Sequence, residues 1–235
     1  MNVARVIQPV LAALVLAAAL AGCASNDPQR QWDSGIARGL FDQAVARLSG
    51  EAGELPQAAA EPGEVARLLA LLPPVPVLRL DLPNGGQSSF VLLSTTNAGT
   101  VTFSTFSGQT LTFRGAVVTA TRGFGADLMG ADIADAEARI AARARASYVR
   151  RHRFLDGEDD EIVLAFDCVL EPVGAATVTL VSGARFATTR MRETCERGAL
   201  AFNNFYWVTA GGVVVRTRQW ISPRIGPMDL EILRR

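Results

Sequence analysis

Few side chains in these 235 residues can do chemistry. There is one histidine, His152, and there are three cysteines, Cys23, Cys168 and Cys195. All 23 basic residues are arginine; lysine is absent. A P-loop lysine, a Schiff-base lysine and a Ser-x-x-Lys pair are therefore excluded. A single imidazole rules out a His-rich metal site and leaves little acid–base chemistry near neutral pH. Asp127 and Glu193 are candidate carboxylates for cutting a sugar chain, but two such groups must stand about 5–10 Å apart in a cleft. Asp156-Gly157-Glu158-Asp159-Asp160-Glu161 offers oxygen ligands at alternate positions. It lacks the distal glutamate of a calcium loop and reads as a solvated turn. Gly123-Phe124-Gly125 lacks the third glycine of a dinucleotide fingerprint. The expectation is a non-enzymatic protein with no catalytic residue, cofactor or metal. The 23 acidic side chains balance the 23 basic ones, so nucleic acid is not an expected partner.

Cys23 carries the clearest chemical signal. Residues 1–22 hold one charge, Arg5, and an apolar run from Pro9 to Leu20 that is too short to span a bilayer comfortably. Leu20-Ala21-Gly22-Cys23 resembles the bacterial lipoprotein signal, in which the cysteine thiol is diacylated and becomes the mature N-terminus. Ala24 and Ser25 follow, with no aspartate, which by the sorting rule sends the protein to the outer membrane, facing the periplasm. Several acyl chains, at about 0.8 kcal/mol per buried methylene, make that anchor effectively permanent. The other two cysteines, an even number in an oxidising compartment, are expected to form a Cys168–Cys195 disulfide.

The elements that must position these groups follow from the pattern. Residues 1–22 are the signal peptide and 23–33 a lipidated tether. Residues 34–74 form a helical N-terminal segment: Ile36, Leu40, Ala44, Val45 and Leu48 recur at helical spacing, and a short helix from Glu64 to Leu72 stops at Pro73-Pro74. Residues 75–235 form one β-rich domain. Strand-like runs span Val77–Leu82, Ser89–Thr96, Thr100–Thr105, Thr110–Arg114 and Ala116–Thr121, punctuated by glycines as in an antiparallel meander. Others span Glu161–Glu171, Ala176–Ser182, Phe186–Glu196, Ala201–Thr209, Val213–Ile221 and Asp229–Leu233. Asp132–Arg151 is expected to be helical. The fold class is mainly β, a single antiparallel barrel-like or sandwich domain of about eleven strands with accessory helices.

Basic residues concentrate at Arg139, Arg143, Arg145, Arg150, Arg151 and Arg153, where pairing with neighbouring acids or a solvated face is expected. The segment from Phe202 to Pro223 is the most distinctive. Gly211-Gly212 suits a two-residue hairpin turn. Strand parity then puts Phe202, Tyr206, Val208, Val213 and Val215 on one face, with Asn204, Thr217 and Gln219. Phe205, Trp207, Arg216, Arg218 and Trp220 fall on the other. With Arg122, they are the candidate residues for binding a glycan or a partner, through ring stacking and guanidinium hydrogen bonds. The plainer reading is aromatics packed under arginines that pair with carboxylates.

The chain resembles the YjbF/GfcB lipoproteins, encoded with exopolysaccharide or group 4 capsule genes. The resemblance rests on the signal ending at Cys23, on Phe113-Arg114-Gly115-Ala116-Val117-Val118-Thr119-Ala120-Thr121-Arg122-Gly123-Phe124-Gly125-Ala126-Asp127-Leu128-Met129, and on the pair Glu193 and Cys195. It rests further on the Asn-x-x-Tyr-Trp and Arg-x-Arg-Gln-Trp-Ile-Ser-Pro hairpin, and it runs from about Val77 to Ile232. It implies a mostly β, barrel-like body on an outer-membrane lipid anchor. It also implies a role in making or exporting surface polysaccharide beside outer-membrane barrel and periplasmic proteins of the same gene cluster. It supplies no catalytic residues.

Overall fold

A computed structural model describes residues 62–158 and 160–235. The signal peptide, Cys23, the tether and the helix expected over 36–48 lie outside them.

Twelve strands form one antiparallel sheet: β1 (Val77–Leu82), β2 (Gln87–Asn97), β3 (Thr100–Ser104), β4 (Thr110–Arg114), β5 (Val117–Arg122), β6 (Gly130–Asp132), β7 (Ala146–Leu155), β8 (Glu161–Thr179), β9 (Arg185–Arg197), β10 (Leu200–Thr209), β11 (Val214–Ser222) and β12 (Gly226–Arg234). The spatial order is β5-β4-β3-β2-β1-β12-β11-β10-β9-β8-β7-β6. Each strand therefore pairs with its sequence neighbour, and β12 returns to pair with β1. The one break in this circle falls between β5 and β6, giving a nearly closed up-and-down barrel. There the backbone N–H of Thr121 donates to Leu128 O at 2.8 Å, and that of Met129 to Arg153 O at 2.8 Å.

Alternation builds the walls. Along β8 from Glu161 to Leu170, exposed and buried residues alternate without a fault, placing Ile162, Leu164, Phe166, Cys168 and Leu170 inside. The predicted strands Glu161–Glu171 and Ala176–Ser182 are one strand, bent by a bulge between Pro172 and Gly174. Gly174, at φ 141°, supplies the backbone a bulge needs. The hairpin at Gly211-Gly212 is a three-residue loop, not a two-residue turn: Thr209 N–H donates to Val213 O, enclosing residues 210–212 with Gly212 at φ 78°.

The long helix expected over Asp132–Arg151 is not formed. Only α2, Ala136–Ala142, is helical, after α1, Pro62–Leu71. Arg143 takes a left-handed conformation that ends α2, and β7 begins three residues later. The reason is a period of two that runs to Leu155: Arg150, His152 and Phe154 point in, while Val149, Arg151, Arg153 and Leu155 point out. One predicted strand boundary is lost in β8, and β6 and β7 are gained. Eleven expected strands thus become twelve.

The interior has two parts. One cluster fills the barrel, with Leu80, Leu111, Phe154, Phe166, Ile221 and Met228 among its members. In a second, Ile133, Ala136 and Ile140 around α2 close on Leu170, Met191, Tyr206 and Val208. Outside the wall, Val65 of α1 packs on Val77 and Phe90. Arg234 fastens this helix by donating to Leu69 O at 2.9 Å, to Val75 O at 2.8 Å and to Pro73 O. It thereby satisfies carbonyls that a helix C-terminus leaves unpaired.

Candidate functional site

Two groupings of polar and aromatic side chains stand out, one inside the barrel and one outside.

The inner grouping centres on Glu193 of β9, which is fully buried. Tyr148 Oη donates to its carboxylate at 2.6 Å, Tyr206 Oη at 3.1 Å and Asn204 Nδ2 at 2.7 Å. Arg150 Nη1 donates to both oxygens, at 3.2 and 3.0 Å. Burial alone would raise the pKa of Glu193. The Arg150 charge and the hydrogen bonds from Tyr148, Asn204 and Arg150 outweigh it and hold the carboxyl below its usual range. Burial, with the neighbouring Glu193 charge, pushes both tyrosines up, so each remains a neutral donor.

Arg150 spends its other donors nearby. Nε donates to His152 Nε2 at 2.7 Å, and Nη2 to Val118 O at 3.3 Å. Accepting at Nε2 puts the proton of a neutral imidazole on Nδ1. Burial, and secondarily the Arg150 charge, hold His152 well below the ordinary histidine range. Its Nδ1 has no hydrogen-bond partner among the described residues and sits among rings. The centroids of Phe166, Trp220, Phe154 and Phe202 lie 5.4–5.9 Å away.

Gln219 completes the seam. Its Oε1 accepts from Val118 N–H at 2.9 Å and its Nε2 donates to Ala116 O at 2.9 Å. Strand β5 is one end of the sheet, and these groups replace the strand neighbour it lacks. The disulfide expected between Cys168 and Cys195 is present, joining directly opposed residues of β8 and β9. Its sulfurs lie within 4.8 Å of a Glu193 oxygen, but bonded sulfurs are not thiolate ligands.

The outer grouping is on β9–β12. Register puts Arg190, Trp207, Arg216 and Glu231 in one row across four strands, and Arg192, Phe205, Arg218 and Asp229 in the next. The Arg216 guanidinium lies 5.4 Å from the Trp207 ring centre and that of Arg190 5.8 Å from Phe205. Phe205 and Trp207 are 6.3 Å apart. Arg216 pairs with Glu231 and Arg218 with Asp229, each at 3.5 Å.

Two candidates do not join this face. The β10–β11 ladder runs only to Phe205↔Arg218, beyond which Asn204 Oδ1 takes the Trp220 N–H at 2.7 Å. Released from the ladder, Trp220 turns inward and stacks on Phe202 at 4.4 Å. Arg122 donates instead to Thr121 O, Leu128 O and Met129 O, bracing the loop at the seam. Asp127 ties the same loop, accepting from Gly123 N, Phe124 N and Thr121 Oγ1. Asp127 and Glu193, the two carboxylates considered for sugar cleavage, are bound to separate sets of partners, one in the seam loop and the other in the barrel interior. The acidic run is a turn in which Asp156 accepts from Glu158 N and Asp160 N. Of the basic cluster, Arg139, Arg145, Arg151 and Arg153 pair at the surface with Asp135, Glu171, Asp132 and Glu161.

A cavity of about 220 Å³ opens between β3–β4 and β11–β12. Phe103, Phe113, Leu78 and Leu230 line it, with Arg216 and Glu231 at its polar side. Arg150, His152 and Glu193 do not reach it.

A near-closed antiparallel barrel with a sealed polar centre and an arginine–aromatic exterior defines an up-and-down β-barrel protein. The chain belongs to the YjbF family, described as group 4 capsule polysaccharide lipoprotein, which it matches over residues 64–233. Its fold is similar to that of the hypothetical lipoprotein YmcC from Escherichia coli K12, with a TM-score of 0.62 and 16% identity over 77% of this chain and 98% of that one. A protein with a YmcC-like fold from Bacteroides fragilis aligns with a TM-score of 0.31 and 14% identity over 78% of this chain and 98% of that one. No curated protein sequence matches the chain. Among the described residues, no helix is long and apolar enough to cross a membrane.

Proposed function

We propose that this protein is a non-enzymatic accessory lipoprotein of capsule or exopolysaccharide assembly and export. In this reading Cys23, acylated, holds it to the periplasmic side of the outer membrane. The barrel then docks beside the export machinery of the same gene cluster. Family membership supports the polysaccharide role. The observation that carries the non-enzymatic part is the state of Glu193: buried, ion-paired and hydrogen-bonded by four side chains. A general acid or base must exchange protons with a substrate, and here no oxygen is left facing a cavity. The cavity between β3–β4 and β11–β12 offers one carboxylate, Glu231, already paired with Arg216.

The test is a deletion strain complemented with the full chain, Cys23→Ser, or Glu193→Gln carried on a lipid-anchored protein that still folds. The reading expects acylated protein in outer-membrane fractions, loss of surface polysaccharide with Cys23→Ser, and retained export with folded Glu193→Gln. Export that survives Cys23→Ser would refute the anchor. A folded Glu193→Gln protein that accumulates unprocessed polymer would refute the absence of catalysis.

A further inference from the structure

We propose that the outer face of β9–β11 is a binding platform for an anionic polysaccharide. Sugar rings would lie on Phe205 and Trp207, and sugar carboxylates would be met by Arg190, Arg192, Arg216 and Arg218. The inference rests on the polysaccharide role above and names the chemistry its ligand must have.

Two observations carry it. First, the two rings are neighbours on one strand, 6.3 Å apart, and each is opposed on both sides by arginines: Trp207 by Arg190 and Arg216, Phe205 by Arg192 and Arg218. Guanidinium groups lie over one face of each ring, at 5.4 and 5.8 Å, and set hydrogen-bond donors directly beside the aromatic planes. A pyranose ring presents an apolar C–H face to such a plane and puts its carboxylate at the ring edge, within reach of a planar fork of donors.

Second, the charges are layered. The side chains of Glu231 and Asp229 are 10% and 13% exposed, whereas those of Arg216 and Arg218 are 36% and 43% exposed. The acids lie beneath and the guanidiniums lie on top. Each pair stands 3.5 Å apart, with the arginine as its more exposed member. Arg190 is exposed and has no carboxylate partner among the described residues. Arg192 in turn pairs with Glu171 at 2.5 Å, so on this face four arginines stand against three acids and one positive charge is in surplus, although the whole chain is neutral. Its complement is a polymer with both ring faces and negative charge.

The test is equilibrium binding of the full chain, purified in detergent, to alginate oligosaccharides, with dextran and polyglutamate as comparators. Alginate should bind, weaken as salt rises, and exceed both comparators. Trp207→Ala should weaken it about tenfold, as should Arg216→Gln with Arg218→Gln. The control Arg139→Gln should change nothing. Arg190→Gln, which leaves both rings in place, carries the same expectation should Trp207→Ala fail to fold, as judged by its melting temperature. Dextran binding equal to alginate would remove the need for charge, and equal polyglutamate binding the need for rings. Either result overturns the proposal, as does absence of alginate binding at millimolar concentration. Loss of this site leaves the export assay with Cys23→Ser untouched, so the two readings fail separately.

Discussion

Arg150 Nη1 lies 3.0 and 3.2 Å from the two carboxylate oxygens of Glu193, and neither side chain reaches solvent. The pair joins β7 to β9 across the inside of the barrel. The same guanidinium, through Val118 O, also holds the end strand β5. A single ion pair thus ties together strands on both sides of the seam.

Removing one partner strands the other. Glu193→Gln leaves the Arg150 charge buried without a counter-charge, at a cost of about 3–5 kcal/mol. The exposed pair Arg139–Asp135 is the contrast: Asp135→Asn should cost roughly 0–1 kcal/mol. Denaturant titration of both variants checks the ranking. Equal midpoints would mean the buried pair contributes no more than a surface one.

Acid should weaken the fold in two steps. His152 is held below its ordinary value of 6.5 in the folded barrel, so the unfolded chain takes up a proton first. Stability is complete above that value and falls as pH drops below it. Glu193 is held below 4.5, and its contribution is lost as pH falls below that value through the folded-state one. Melting temperature should be flat near pH 7–8, decline below 6.5 and decline faster below 4.5. His152→Phe should abolish the first step while keeping the second.

The Cys168–Cys195 bridge closes a loop with a sequence separation of 27. In the chain-entropy picture a loop of that size stabilises by roughly 3–4 kcal/mol. Cys168→Ser with Cys195→Ser should lower the melting temperature accordingly. Thiol labelling of the denatured wild type should find both cysteines blocked until reductant is added.

Gln219 is a local test of the seam. Gln219→Leu removes the partner of the buried Val118 N–H and that of the half-buried Ala116 O, which costs about 1–3 kcal/mol. Amide exchange at Val118 should accelerate more than at Leu164 in the wall of β8. Uniform acceleration would place Gln219 in global stability and not in the seam.

Most of the barrel was legible because its walls obey the period of two and its turns carry glycine. Strand β7 was the exception. Its inner positions include Arg150 and His152, and polar side chains at every second place look like a basic, helix-prone segment. The sequence holds no sign that the partner of Arg150 is 43 residues away, because closure of the barrel makes that contact. A signal did exist in the C-terminal hairpin, where parity set Asn204, Thr217 and Gln219 on the apolar face with Tyr206. Amides inside a barrel need partners, and those partners proved to be Glu193 and the backbone of β5. Trp220 defeated parity because one side chain, Asn204, took over a ladder hydrogen bond. The pairing of arginines above carboxylates on the outer face depended on β12 lying beside β11, and the order of the strands alone reveals that.

The stitching of Val118 and Ala116 by Gln219 and Arg150 bears on how copies of this molecule behave when crowded. A rolled sheet whose β5 rim is occupied at Val118 and Ala116 by its own side chains offers less open backbone there for a neighbour to zip onto. Many such bodies can stand side by side without fusing into fibres. Whatever company they keep must be chosen by shape and charge on their outer walls.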